Sequence, residues 1–141
     1  MPLPFLRLPA SAERVRAVLG AALGVLFAAG ISLWASPDPA LWLIAPIGAS
    51  AVLVFTAPAS PLAQPWPVVA GNTISALVGL ACAHWLPGLM LPAALAVGLA
   101  ITVMMLLRCL HPPGGAVALL MVLVHEQSLT FVLFPVLTNS V

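Results

Sequence analysis

The sequence predicts an all-α protein: a polytopic bundle of membrane helices, built as two inverted three-element repeats whose second helices are short or broken. Three observations lead there. Of the 141 residues, 63% are hydrophobic and 5% charged, with a mean hydropathy of +1.22, whereas soluble domains carry about a quarter charged residues. Long apolar runs alternate with short clusters rich in proline and glycine. Finally, the second half of the chain overlays the first with its unusual residues in register.

The charge distribution narrows the function as well as the fold. No Asp, Glu, Lys or Arg occurs between Pro39 and Leu107, and lysine is absent altogether. The net charge of +1 says nothing about nucleic acid, but no basic cluster exists to grip phosphates, so no nucleic-acid partner is expected. Cys82 and Cys109 lie in or beside apolar runs and read as free thiols. Each occurs as Cys-x-His (Cys82/His84, Cys109/His111), but side chains two apart on a helix point about 200° apart and cannot converge on one ion. No metal and no other cofactor is expected.

Residues 1–14 form an amphipathic, cytoplasmic lead-in, and residues 15–141 form the membrane domain. Arg7, Arg14 and Arg16 precede the first apolar run, Ala17–Trp34, and hold the N-terminus on the cytoplasmic side of a cell (inner) membrane. Further apolar spans follow at once, which favours a retained helix over a cleaved signal. Gly20-x-x-x-Gly24 followed by Ala28 suits close helix packing. Ser36–Pro39 is a turn, and the run 41–57 is interrupted by Pro46 and Gly48. Four prolines in residues 58–67 argue against helix there. Val68–Leu86 and Leu89–Leu107 are third and fourth spans, parted by Pro87-Gly88. A helix over 113–124, about 18 Å long, is too short for a hydrocarbon core of about 30 Å. His125–Ser128 is interfacial. Leu129–Val141 begins a sixth apolar element that the chain leaves unfinished. Trp34, Trp42, Trp66 and Trp85 all sit at segment edges, as interfacial aromatic residues do.

At an offset of 67 residues, Pro46, Gly48, Ala49, Ala51 and Leu53 fall on Pro113, Gly115, Ala116, Ala118 and Leu120, and Leu62, Val69 and Asn72 fall on Leu129, Val136 and Asn139. Repeat one covers about 15–86 and repeat two about 87–141. Three membrane elements per unit is an odd number, so the second copy is inverted. In each copy the middle helix begins with a Pro-x-Gly-Ala start, Pro46-Ile47-Gly48-Ala49 in one and Pro113-Gly114-Gly115-Ala116, preceded by Pro112, in the other. Proline suits a first helical turn, and glycine leaves backbone N–H groups open to a ligand. Two such starts would aim positive dipole ends at the bilayer midplane, a setting for an anion.

Arg108 either adds a forked donor to that ligand or anchors at the interface. His111 contacts substrate, carries a proton, or caps backbone freed by the prolines. Asn72 and Asn139 line the cavity or bond between helices. Ser50 and Gln64 are weaker candidates of the same kind.

The segments Pro46–Gly79 and "RCLHPPGGAVALL" (Arg108–Leu120), with its His111-Pro112-Pro113, resemble the HPP family of small integral membrane proteins from about Arg14 onward. That resemblance implies about four spans, and nitrite transport in some members. Together these readings predict a transporter or channel for a small inorganic anion, with nitrite as best guess. The alternatives are an assembly subunit without a pathway of its own and a membrane redox enzyme. No catalytic constellation appears, so no enzymatic activity is expected. The partners expected are lipid, a small anion and further copies of the chain.

Overall fold

The computed structural model describes residues 10–35, 45–126 and 128–141, and among them the chain is all helix and turn with no strand. The turn expected at residues 36–39 and Trp42 lie outside the described residues, as does the lead-in before residue 10. Helix α1 spans Ser11–Ala35, so residues 11–14 are already helical. Glu13 in its first turn complements the helix dipole. At 25 residues, α1 reaches about 37 Å. Gly20 and Gly24 lie directly under the Phe55 ring: a Cβ on Gly24 would sit 3.0 Å from it, and one on Gly20 closer still. The small-residue stripe foreseen in the sequence thus receives an aromatic ring from α2.

Helix α2 covers Ala45–Thr56. Pro58 follows closely, and Ser60 starts a 3₁₀ turn, Pro61–Ala63, by accepting the Leu62 N–H at 3.2 Å. Helix α3 spans Pro65–Trp85, which corrects the expectation of no helix up to residue 67. Pro65 and Pro67 occupy the first and third helical positions, whose N–H groups have no acceptor inside the helix, so proline costs nothing there. Trp66 and Trp85 mark the ends of α3, about 28 Å apart along its axis, close to the hydrocarbon thickness of a bilayer.

Gly88, at φ +81, turns the chain into α4, Met90–Leu106. Helix α5 is Pro112–Leu123, one residue earlier than the sequence suggests. Helices α2 and α5 are each 12 residues long, and their bounds are related by the 67-residue offset. Helix α6 is a single turn, Leu129–Phe131, which continues through wide turns over Val132–Leu137 broken at the extended Phe134. The Phe134–Pro135 peptide is cis.

The bundle is organised by α3. A Cβ on Gly71 would meet His111 at 2.7 Å, and one on Gly114 would meet the Gly71 carbonyl at 3.0 Å and the Ser75 hydroxyl at 2.7 Å. Gly79 abuts the backbone of Ala118. Residue numbers rise together along this contact, so α3 and α5 run parallel. Gly71, Ser75 and Gly79 at intervals of four form the seam, facing Gly114 and Ala118. Small residues let the two backbones approach, the packing mode on which membrane helices depend. Helix α4 returns between them, burying Ala96, Ala100 and Met104, again at intervals of four.

Candidate functional site

His111 takes its position from its neighbours in sequence. The residue before a proline is driven to extended backbone, and His111 sits at φ −133, ψ 107 as the N-cap of α5. Its side chain makes no capping bond to its own helix. Instead it points inward, fully buried. Nδ1 lies 2.9 Å from the Leu62 carbonyl and Nε2 lies 2.8 Å from the Ser50 hydroxyl.

The protons in this cluster follow from the acceptors. A carbonyl can only accept, so His111 Nδ1 carries hydrogen and donates to Leu62. In the neutral ring Nε2 is then an acceptor, and Ser50 donates to it. Ser140 donates to the Val136 carbonyl at 2.8 Å. With both hydroxyl hydrogens engaged, the Asn72 atom facing the two oxygens is its amide nitrogen, which donates to Ser50 at 3.3 Å and to Ser140 at 3.1 Å. Asn72 Oδ1 is left over, fully buried and without a hydrogen-bond partner among the described residues. Such an orphan acceptor costs about 1–3 kcal/mol.

These residues come from four separate elements: Ser50 from the second turn of α2, Leu62 from the 3₁₀ turn, Asn72 from α3, and His111 from the start of α5. Ser140 is added from the segment after α6. The cluster is off-centre. Asn72 lies about 9 Å along α3 from Trp66 and about 20 Å from Trp85, so it belongs to the Trp66 half of the span rather than to its middle.

A cavity of about 280 Å³ adjoins the cluster. Ser50 and Ser140 line it together with Asn139, Thr138, Ile47, Val68 and the inner faces of α1 and α2. Asn139 Oδ1 also accepts from Ser32 of α1 at 3.1 Å.

The two helix starts differ from each other. In α5 the first two positions are prolines without N–H, and the Gly114 N–H is bonded to the His111 carbonyl at 2.9 Å. That start has no free donor in its first three positions. Gly114 is packed under α3, and Gly115 is half-buried with only the edge of Val97 near it. Pro112 is exposed and Pro113 buried. At α2, Pro46 is buried, Gly48 and Ala49 are exposed, and a Cβ on Gly48 would meet nothing within 4 Å.

Arg108 stands apart from the cluster. It is exposed at φ +53, where its N–H bonds the Met105 carbonyl at 3.2 Å and the next N–H, of Cys109, bonds the Met104 carbonyl at 2.9 Å. This is a Schellman helix ending with arginine where glycine is usual. His125 ends α5 in the same way: it sits at φ +50, with His125 N–H on Val122 at 3.1 Å and Glu126 N–H on Met121 at 3.0 Å. Beside Arg108, Trp66 Nε1 donates to the Leu107 carbonyl at 3.4 Å. Gln64 is exposed and donates to the carbonyls of Pro58 and Ser60, both at 3.0 Å.

Two apolar helices long enough to cross a membrane, α1 and α3, small-residue seams and a polar cluster buried among the helices are the features of an integral membrane protein with an internal polar site. The family model described as HPP, transmembrane region, matches residues 7–141, and the chain belongs to that family. Two transmembrane proteins of Dictyostelium discoideum are similar to it. One is 41% identical over 107 residues, covering 71% of this chain and 34% of its own length. The other is 40% identical over 105 residues, covering 70% of this chain and 37% of its own. The chain thus spans about a third of the length of the curated relatives it matches. No solved structure matches.

Proposed function

We propose that this chain is a transporter or channel for a small inorganic anion, which it receives in the cavity between α1, α2 and the Ser50–Ser140 wall. The observation that carries the reading is the buried His111–Ser50–Asn72–Ser140 cluster opening on that cavity. Buried polar side chains in a membrane bundle are costly and mark pathways. The start of α2, which reaches the cavity through Ile47, is the better of the two helix N-termini for an anion, because its N–H at Ala45 and Ile47 are not removed by proline. Arg108, at the α4 reversal, acts as an interfacial anchor in this reading. Nitrite is the first substrate to test, on the strength of the HPP resemblance.

Helices α2 and α5, equal in length and related by the offset, support two inverted repeats whose middle helices meet through Ser50 and His111. We read the N-terminus as cytoplasmic, the membrane as the inner membrane and the working unit as a homo-oligomer. Uptake of nitrite, nitrate, formate and chloride into proteoliposomes tests the function. Saturable nitrite flux that falls at least tenfold in Ser50→Ala is expected. Flux of none of the four above protein-free vesicles overturns the reading and favours an assembly role.

A further inference from the structure

The cavity wall has no permanent positive charge. The sequence from Pro39 to Leu107 has no charged side chain, Arg108 is exposed beyond the end of α4, and α5 has spent or lost its first three backbone donors. An anion leaving water for this cavity meets hydroxyls, an amide and apolar side chains, which repay little of its lost hydration. One group near the wall can become cationic, and it does so by taking up a proton: His111, a single hydroxyl away across Ser50.

The other groups facing His111 do not titrate into a competing cation. Helix α2 presents Ser50, the 3₁₀ turn presents the Leu62 carbonyl, and α3 presents Gly71 with Asn72 one bond further on. The ionisable side chains of α3, Cys82 and His84, lie at its far end. Helix α4 has no ionisable residue. On the histidine's own segment are the buried Cys109 thiol and the exposed Arg108.

The hydrogen bonds are arranged to accept either state of the ring. With His111 neutral, Ser50 donates to Nε2. With His111 protonated, Nε2–H donates to the Ser50 oxygen, and the Ser50 hydrogen turns to the Pro46 carbonyl at 3.2 Å. Asn72 donates to the same oxygen throughout, using its second lone pair. The Nδ1 bond to Leu62 is unchanged. One hydroxyl rotates and no heavy atom has to move.

We propose that the site binds one proton and one small monovalent oxyanion together, the proton on His111 Nε2 and the anion in the cavity on the other side of Ser50. This rests on the transport reading above and specifies its stoichiometry. The pair enters as a neutral unit: the anion stabilises the imidazolium, and by linkage the imidazolium tightens anion binding by the same factor. Transport by such a site follows the pH gradient and is indifferent to voltage.

The test uses the full chain in proteoliposomes, with voltage clamped by potassium and valinomycin, an internal pH dye, and nitrite as probe. Protein-free vesicles are subtracted to remove leakage of the undissociated acid. The expected result is one proton entering per nitrite. At subsaturating nitrite, flux should fall about tenfold per pH unit once His111 is deprotonated. In His111→Gln any remaining nitrite flux should lose both properties. Nitrite flux in the wild type that moves no proton and responds to voltage overturns the proposal while leaving the transport reading standing. Flux of no anion at all removes the transport reading first. The wild-type measurement decides the matter even where His111→Gln does not fold.

Discussion

Ser50 serves His111, Asn72 and its own helix with one oxygen and one hydrogen. Ser50→Ala therefore leaves Nε2 without a donor and one Asn72 hydrogen without its acceptor, and is expected to cost about 1–3 kcal/mol, read as a lowered melting temperature in detergent. Arg108 yields a second prediction of opposite flavour. Its φ of +53 suits glycine, so Arg108→Gly should be more stable than Arg108→Ala by about 1 kcal/mol. Nitrite flux should survive in Arg108→Gly if the side chain is only an anchor. Ser50, Asn72 and His111 were legible in the sequence because a polar side chain inside an uncharged apolar chain stands out. Leu62 was not, since it contributes a backbone carbonyl that no residue type advertises. Ser140 was likewise missed, because one serine near the end of the chain resembles any other. The role of Arg108 as a helix ending was hidden for a related reason: the residue expected there is glycine.

Among the elements, the α3–α5 seam is set by small residues that the sequence reading passed over in favour of Gly20 and Gly24. Gly71, Ser75 and Gly79 were spaced like a packing stripe all along, but in a chain so rich in glycine and alanine the partner face cannot be picked out without coordinates. The contrast between two glycines tests the seam. Gly79→Ala puts a methyl against the Ala118 backbone and 2.9 Å from Met121 Cβ, and should cost about 1–3 kcal/mol. Gly98→Ala, on the open side of α4 with nothing within 4 Å, should instead gain about 0.5–1 kcal/mol from helix propensity. Thermal melts of the two variants in one detergent separate these outcomes. The proline-rich stretch before α3 was misread because proline was treated as a helix breaker, whereas Pro65 and Pro67 fall in the one turn that tolerates it. The two helix starts matched by the 67-residue offset, Pro46 and Pro113, lie within a residue of where α2 and α5 begin.

At the scale of the molecule, α3, α4 and α5 form one interlocked block, while α1 leans on α2 and is largely exposed. Leu23, Leu26 and Phe27 are exposed on it, an apolar surface on which the proposed homo-oligomer would be built. In lipid nanodiscs the chain should appear by native mass spectrometry as a dimer or higher oligomer, and a strictly monomeric species would count against the homo-oligomer. Membrane class was readable from hydropathy, and the breaks between the described helices from proline and glycine. The meeting of four elements around His111 was not, since it depends on how the helices cross.

The way α1 is held bears on how the molecule moves. It lines the outer side of the cavity, and its described contacts include the Phe55 ring over Gly20 and Gly24 and the Ser32–Asn139 bond. The opposite wall, by contrast, is backed by glycine-tight backbone contacts that resist sliding. Between a stiff wall and a lightly fastened one, displacement falls on the second. Any opening of the cavity is therefore expected on the α1 side, where the phenyl ring covers the two glycines and Ser32 meets Asn139, and not on the α3–α5 side.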